Sequence, residues 1–194
     1  MTEYSVGGYD KVLGAPMSED RQLLKALRRG ETAAWRRIYL KYKDDLLTIA
    51  RSLVYDIDVA EDCLQDVFVQ LASDGSKIHS NLKGYLLSCI VHRARDYLRR
   101  RDTRFNCQVN SRTHRMSSPN PANVLAKNDE NERIIRALEK LSLEQREVVV
   151  LHLQSDMTFR QIATMLEVSI NTVQSRYRYG MDKLRQLLMK KEAI

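Results

Sequence analysis

TFRQIATMLEVSINTVQSRYRYGMDKLRQLL, residues 158–188, decides how the chain is read. Thr158 and Gln161 stand in T-x-x-Q spacing, a capping box that satisfies the orphan backbone N–H groups at a helix start. Ile162, Ala163 and Leu166 follow on one apolar face. Glu167-Val168-Ser169 breaks the period, and Ser169 is a good N-cap for a second helix. That helix keeps Val173, Tyr177, Leu184 and Leu188 on a buried stripe. Its other face carries Asn171, Thr172, Gln174, Ser175, Arg176 and Arg178. Hydrogen-bonding side chains near the N-terminus of the second helix of a helix-turn-helix suit the major groove of DNA.

The rest of the composition agrees. The chain has 194 residues, 32 Lys+Arg against 25 Asp+Glu, a net charge of +7 and a pI of about 9.4. A basic excess of this size favours a polyanionic partner. With 43% hydrophobic residues the chain can build cores, which excludes wholesale disorder. Glycine and proline are few and apolar residues recur at helical spacing, so the expected class is all-α. No glycine-rich nucleotide loop is present. The apolar runs are too short to span a bilayer, so no membrane insertion is expected. Residues 1–17 lack a basic start followed by an apolar run and do not read as a signal peptide. The expected location is cytoplasmic. Cys63, Cys89 and Cys107 are too widely spaced for a metal cluster or a disulfide framework and read as reduced, mostly buried thiols. No cofactor or metal is implied.

Residues 1–17 read as a flexible leader. Ser18 caps a helix over 20–29, which Gly30 stops. A second helix is expected over 32–54 and a third, opened by Asp58-x-x-Glu61, over 58–72. A polar loop, 73–81, precedes a fourth over 82–101. The polar stretch 102–128 holds Pro119 and Pro121, has little periodicity and reads as an interdomain linker. Helices resume over 132–141 and, capped by Ser142-x-x-Gln145, to about Gln154. Two small helical domains therefore flank a linker, with boundaries at 18–104, 105–129 and 130–190.

DVAEDCLQDVFVQLA (58–72) resembles the part of sigma-70 family factors that docks on core RNA polymerase. LKGYLLSCIVHRARDYLRRRDTR (82–104) resembles the adjoining promoter-opening part. LSLEQREVVVLHLQSDMTFRQIATMLEVSINTVQSRYRYGMDKLRQLL (141–188) is similar to the part that reads the upstream promoter element. Order and spacing match the small two-domain type, the extracytoplasmic-function (ECF) sigma factors, over residues 18–190. The resemblance implies a sigma region 2, a sigma region 4 and three partners: core polymerase through its beta-prime and beta subunits, promoter DNA both duplex and melted, and an anti-sigma factor that clamps the two domains.

On the 58–72 helix, Val59, Cys63, Val67, Phe68 and Leu71 are able to face inward while Glu61, Asp62, Gln65 and Asp66 cluster outside. The residues alone describe a solvated face favoured by the helix dipole. The resemblance makes Glu61, Asp62, Gln65, Asp66 and Phe68 the surface for a coiled coil of the largest polymerase subunit. Lys83, Arg93, Arg95, Arg99, Arg100 and Arg101 make the next helix basic, with Tyr85 and Tyr97 interleaved. Basic groups track phosphates and aromatic rings stack on exposed bases, although Tyr97, beside Arg93 and Ala94, is expected to face inward. The resemblance assigns minus-ten reading to Lys77, His79, Ser80 and Asn81 in the preceding loop, with Lys83, Tyr85, His92, Arg93, Arg95, Arg99 and Arg100. Two positions depart from the ECF pattern, which usually has Trp at 85 and Asn at 92. In the C-terminal part, Thr158, Arg160, Ser169, Asn171, Thr172, Gln174, Ser175, Arg176 and Arg178 are the minus-thirty-five candidates. Tyr179-Gly180-Met181 replaces the R-A-R of many members, and Gly180 inside a helix costs about 1 kcal/mol relative to Ala.

Two other functions fit parts of the chain. A stand-alone helix-turn-helix regulator accounts for the C-terminal half but leaves 58–104 unused. An enzyme would need a catalytic constellation, and the four histidines are scattered without partner spacing.

Overall fold

A computed structural model describes residues 18–75, 78, 81–109 and 129–189, with side chains described for 19–75, 78, 81–103 and 133–189. The 1–17 leader, the Ser18 cap, Lys77, His79, Ser80, the Cys107 side chain and most of the expected linker lie outside them. Among the described residues the regular structure is helical throughout, in eight helices, and no helix is long and apolar enough to cross a membrane.

The N-terminal half is α1 (Ser18–Arg28), α2 (Thr32–Val54), α3 (Ile57–Asp74) and α4 (Leu82–Val109). Gly30, at φ 76°, makes the turn after α1. The central α2 buries Ile38, Leu46, Ile49, Ala50 and Leu53 at helical spacing and packs against α1, α3 and α4. A polar knot fixes α1 to it: the buried Asp20 accepts from the Tyr42 hydroxyl (2.7 Å) and the Lys41 ammonium (2.8 Å). The C-cap of α2 is Tyr55 in the left-handed region.

Three of the helix boundaries differ from expectation. The N-cap of α3 is Asp56, whose carboxylate accepts from the backbone N–H of Asp58 and Val59. Asp56, two residues before the expected Asp58, takes the cap because its side chain meets the orphan donors of the first turn. At the other end α3 continues through Ser73 and Asp74. Likewise α4 runs to Val109, so 105–109 continue the helix instead of opening a linker. Nothing breaks it there, since the first proline after Arg101 is Pro119.

The C-terminal half is α5 (Asp129–Glu139), α6 (Leu143–Ser155), α7 (Phe159–Leu166) and α8 (Ile170–Met189). Both expected capping boxes are formed, at Ser142/Gln145 and Thr158/Gln161. Ser169 takes the N–H of Thr172 at 3.1 Å and so caps α8. The turn between α7 and α8 passes through Glu167 at φ 55°. Gly180 is buried against α6, where a Cβ would stand 3.0 Å from a Val149 methyl. The glycine therefore lets α8 approach α6 closely. The two halves are in contact: α6 packs along α2, and the buried apolar residues of both form one cluster.

Candidate polymerase and nucleic-acid interfaces

On α3 the register turns Ala60, Cys63, Leu64, Val67, Phe68 and Leu71 inward and leaves Glu61, Asp62, Gln65 and Asp66 exposed together. Three carboxylates and an amide thus share one solvent face on the first half of a helix, where the dipole favours negative charge. Phe68 is different. It is 3% exposed, with its ring edge-on to Trp35 and Tyr39 at 5.9 and 4.9 Å. A ring so enclosed supports the shape of the surface and does not offer itself to a partner, a correction to its place among the contact residues. Burial also pushes the Cys63 and Cys89 thiols up to about 11, which makes them poor nucleophiles.

The basic helix α4 is arranged less simply. Asn81 is its cap: the side-chain carbonyl accepts from the N–H of Gly84 at 3.0 Å. Tyr85 is 7% exposed. Its ring is core, so the expected stacking platform is absent at this position. The residue's aromatic bulk is part of the buried core cluster and is used for packing instead. Tyr97 packs partly buried against the same core. Burial, and then the neighbouring Arg95, hold the His92 imidazole below its ordinary value. Arg93 turns to α3, donating to the Gln70 side chain at 3.1 Å and lying 3.9 Å from Asp66. Arg99 pairs with Asp96 one turn earlier, and Arg100 is exposed.

Arg95 and Lys83 reach into the other half. The Arg95 guanidinium grips the Glu147 carboxylate with two nitrogens, the second at 2.6 Å. That carboxylate is 1% exposed. The Lys83 ammonium donates to the Ser155 carbonyl at 3.0 Å. Beside them Arg146, 8% exposed, donates to Leu138, Leu141 and Glu139 at the end of α5 and across to Leu53 at the end of α2. Its guanidinium lies 4.3 Å from the Tyr55 ring centroid. One side chain thus serves the unsatisfied carbonyls of two helix ends. Sequence reading missed Arg146 and Glu147. The available signal was Val148-Val149-Val150-Leu151 immediately after them, since a helix apolar all round needs partners on several sides.

In the helix-turn-helix, Asn171, Gln174 and Arg178 recur at spacings of three and four and are exposed on one stripe of α8. Ser175 and Arg176 flank it, half-buried. The Ser169 and Thr172 hydroxyls bond each other at 2.8 Å beside that stripe, and Thr158 and Arg160 are exposed at the start of α7. The opposite face is held by His152, Phe159 and Tyr177, whose rings pack at 4.5–5.1 Å. Glu144, at the start of α6, is held below the ordinary carboxylate range by its own backbone N–H and Ser142, with Arg176 and Arg95 adding to the effect. One arginine from each candidate DNA surface therefore acts on the same carboxylate. Among the described residues no group of three or more His, Cys, Asp or Glu could hold a metal.

The family model for sigma-70 region 2 matches residues 38–104, and that for sigma-70 region 4 matches residues 131–184. The chain is 22% identical to the RNA polymerase sigma-H factor of Pseudomonas aeruginosa over 186 residues, covering 89% of this chain and 96% of the relative. It is 24% identical to the ECF RNA polymerase sigma factor SigK of Mycobacterium ulcerans over 173 residues, 86% and 91% of the two chains. Its fold is that of CnrH in complex with the cytosolic domain of CnrY, with a TM-score of 0.68 at 23% identity over 90% of this chain and 99% of that one. The chain belongs to the sigma-70 family of RNA polymerase sigma factors, in its extracytoplasmic-function branch.

Proposed function

We infer that this chain is the promoter-specificity subunit of bacterial RNA polymerase: it binds core enzyme, carries it to promoters with two elements, and helps melt the downstream one. The observation that carries this reading is the pairing of an exposed acidic face on α3 with an exposed hydrogen-bonding stripe on α8, in a chain matched by both sigma regions. Glu61, Asp62, Gln65 and Asp66 bind the polymerase, with Phe68 holding their helix in shape. Asn171, Gln174 and Arg178 read the edges of the upstream element, where Arg suits guanine and Asn or Gln suits adenine. Thr158, Arg160, Ser169, Thr172, Ser175 and Arg176 set register on the backbone. Lys83, Arg95, Arg99 and Arg100 hold the melted strand, with Lys77, His79, Ser80 and Asn81 beside it. Unit 18–104 carries polymerase binding and the melted strand, and unit 130–190 carries the upstream element. The chain performs no chemistry of its own and works in the cytoplasm, where its polymerase is.

An anti-sigma factor is the expected regulatory partner, since CnrH was solved with CnrY and the RpoE of Bartonella quintana with the anti-sigma factor NepR. The test is transcription with bacterial core polymerase, with and without the chain, on a library of randomised promoters. Core-dependent initiation at a shared pair of motifs is the expected result. Binding of a duplex site by the chain alone, with no gain in initiation, would move the assignment to a stand-alone regulator.

A further inference from the structure

In the stretch 73–81, SDGSKIHSN, Ile78 is the one large apolar residue among polar ones. Its side chain is 4% exposed and joins the core. Its N–H donates to the Gly75 carbonyl at 3.3 Å, and its own carbonyl accepts from the Arg28 guanidinium. Gly75 also abuts α1, since a Cβ there would stand 2.7 Å from a Leu27 methyl. Two consecutive residues at the end of α1 therefore meet the connection between α3 and α4, and Arg28 does so 50 residues ahead of its partner. Leu27 and Arg28 are held in turn. The N–H groups of Gly30 and Glu31 donate to Leu27 and Ala26 at 3.0 and 3.1 Å and close the last turn of α1. At the other end Asp20 takes the Tyr42 hydroxyl and the Lys41 ammonium. Helix α1 is thus a strut, braced on α2 and ending against the connection. No surface described above uses Arg28.

An unstacked base is read by hydrogen bonds to its edge, so its readers must be held to within about 0.5 Å of their working places. Ordering a segment costs backbone entropy, and an anchor that fixes its middle beforehand lowers that cost at the moment of binding. We infer that Leu27 and Arg28 are positioning residues for minus-ten recognition. They hold the backbone at Gly75 and Ile78 and so place the candidate readers Lys77, His79, Ser80 and Asn81, without touching DNA themselves. This rests on the sigma reading proposed above.

The test is transcription by the full chain with core polymerase on two libraries, one randomised in the minus-ten element and one in the minus-thirty-five element. Arg28→Ala should lower the preference for the favoured minus-ten sequence over its single-base variants at least about fivefold, the lower end of what one base-edge contact contributes. Preference in the minus-thirty-five library and capture by immobilised core polymerase should stay as in wild type. Arg28 is exposed, so the thermal melt should also stay near wild type. Arg28→Lys keeps a donor for the Ile78 carbonyl and should recover most of the preference, a rescue specific to that hydrogen bond. Amide exchange over a peptide spanning 73–82 should quicken in Arg28→Ala and not over α2. Unchanged minus-ten preference, or unchanged exchange, overturns the inference. So does a uniform loss on every minus-ten sequence with a shallower salt dependence, which marks a direct phosphate contact. A wild type with no core-dependent initiation removes the sigma reading and this inference with it. Normal wild-type initiation beside a negative Arg28 series removes the positioning role alone.

Discussion

Thr158 shows how much one side chain fixes. Its hydroxyl accepts from the N–H of Gln161 while Gln161 reaches back to the N–H of Thr158, so two orphan donors at the start of α7 are satisfied at once. Thr158→Ala should cost about 1 kcal/mol, measured by urea denaturation. His92 gives a pH signature. Its folded pKa lies below the ordinary 6.5, mainly through burial, so the unfolded chain binds the proton more readily. The contribution to stability is complete above pH 6.5 and declines as the pH falls below it. His92→Asn should flatten the dependence of the urea midpoint on pH below 6.5, and a slope unchanged from wild type would refute the assignment. At this scale the caps at Ser142, Thr158 and Ser169 were legible because capping is local, involving groups three residues apart. The burial of Tyr85 was not, because an aromatic residue at an amphipathic position reads equally well as core or as contact surface until its neighbours from other helices are known; the period of α3 did turn Phe68 inward, and only the resemblance placed it on the contact surface.

Helix α8 is defined by what it approaches. A leucine at Gly180 would have to enter space already held by Val149 and Gln145. Gly180→Leu should therefore destabilise the chain by about 1–3 kcal/mol through overpacking, seen as a lowered melting temperature. The sequence displayed the glycine and its helix-propensity cost but not the reason, which lies on α6, some thirty residues earlier in the chain. Helix α3 makes the complementary case. Its outward face was readable from period alone, and Asp62→Lys with Asp66→Lys should abolish capture of the chain by immobilised core polymerase while leaving the thermal melt near that of wild type, since both side chains are exposed. Helix ends were harder to read. The cap of α3 at Asp56 and the extension of α4 through Val109 depend on which of several acceptable signals the tertiary packing selects.

Over the whole molecule the two halves share one apolar cluster and a buried arginine. Cooperative unfolding follows from such sharing. Calorimetry of the full chain should give a single transition, and Arg146→Met, which leaves buried carbonyls on both α2 and α5 without their donor, should lower it by at least about 2 kcal/mol or split it in two. Fold class was legible in the sequence because helical period and capping carry it, and the order of the two sigma regions was legible through the resemblance of residues 58–72, 82–104 and 141–188 to the family. The contact between the halves was not: it is made by groups with no local pattern, Arg95 with Glu147 and Arg146 with the carbonyl of Leu53. Those partners stand 52 and 93 residues apart. That distance along the chain matters during synthesis. At about 5–20 residues per second a ribosome needs about 3–10 seconds to travel from Arg95 to Glu147. For those seconds the newborn N-terminal half carries Arg95 with Glu147 still untranslated, in reach of any polyanion nearby, ribosomal RNA included.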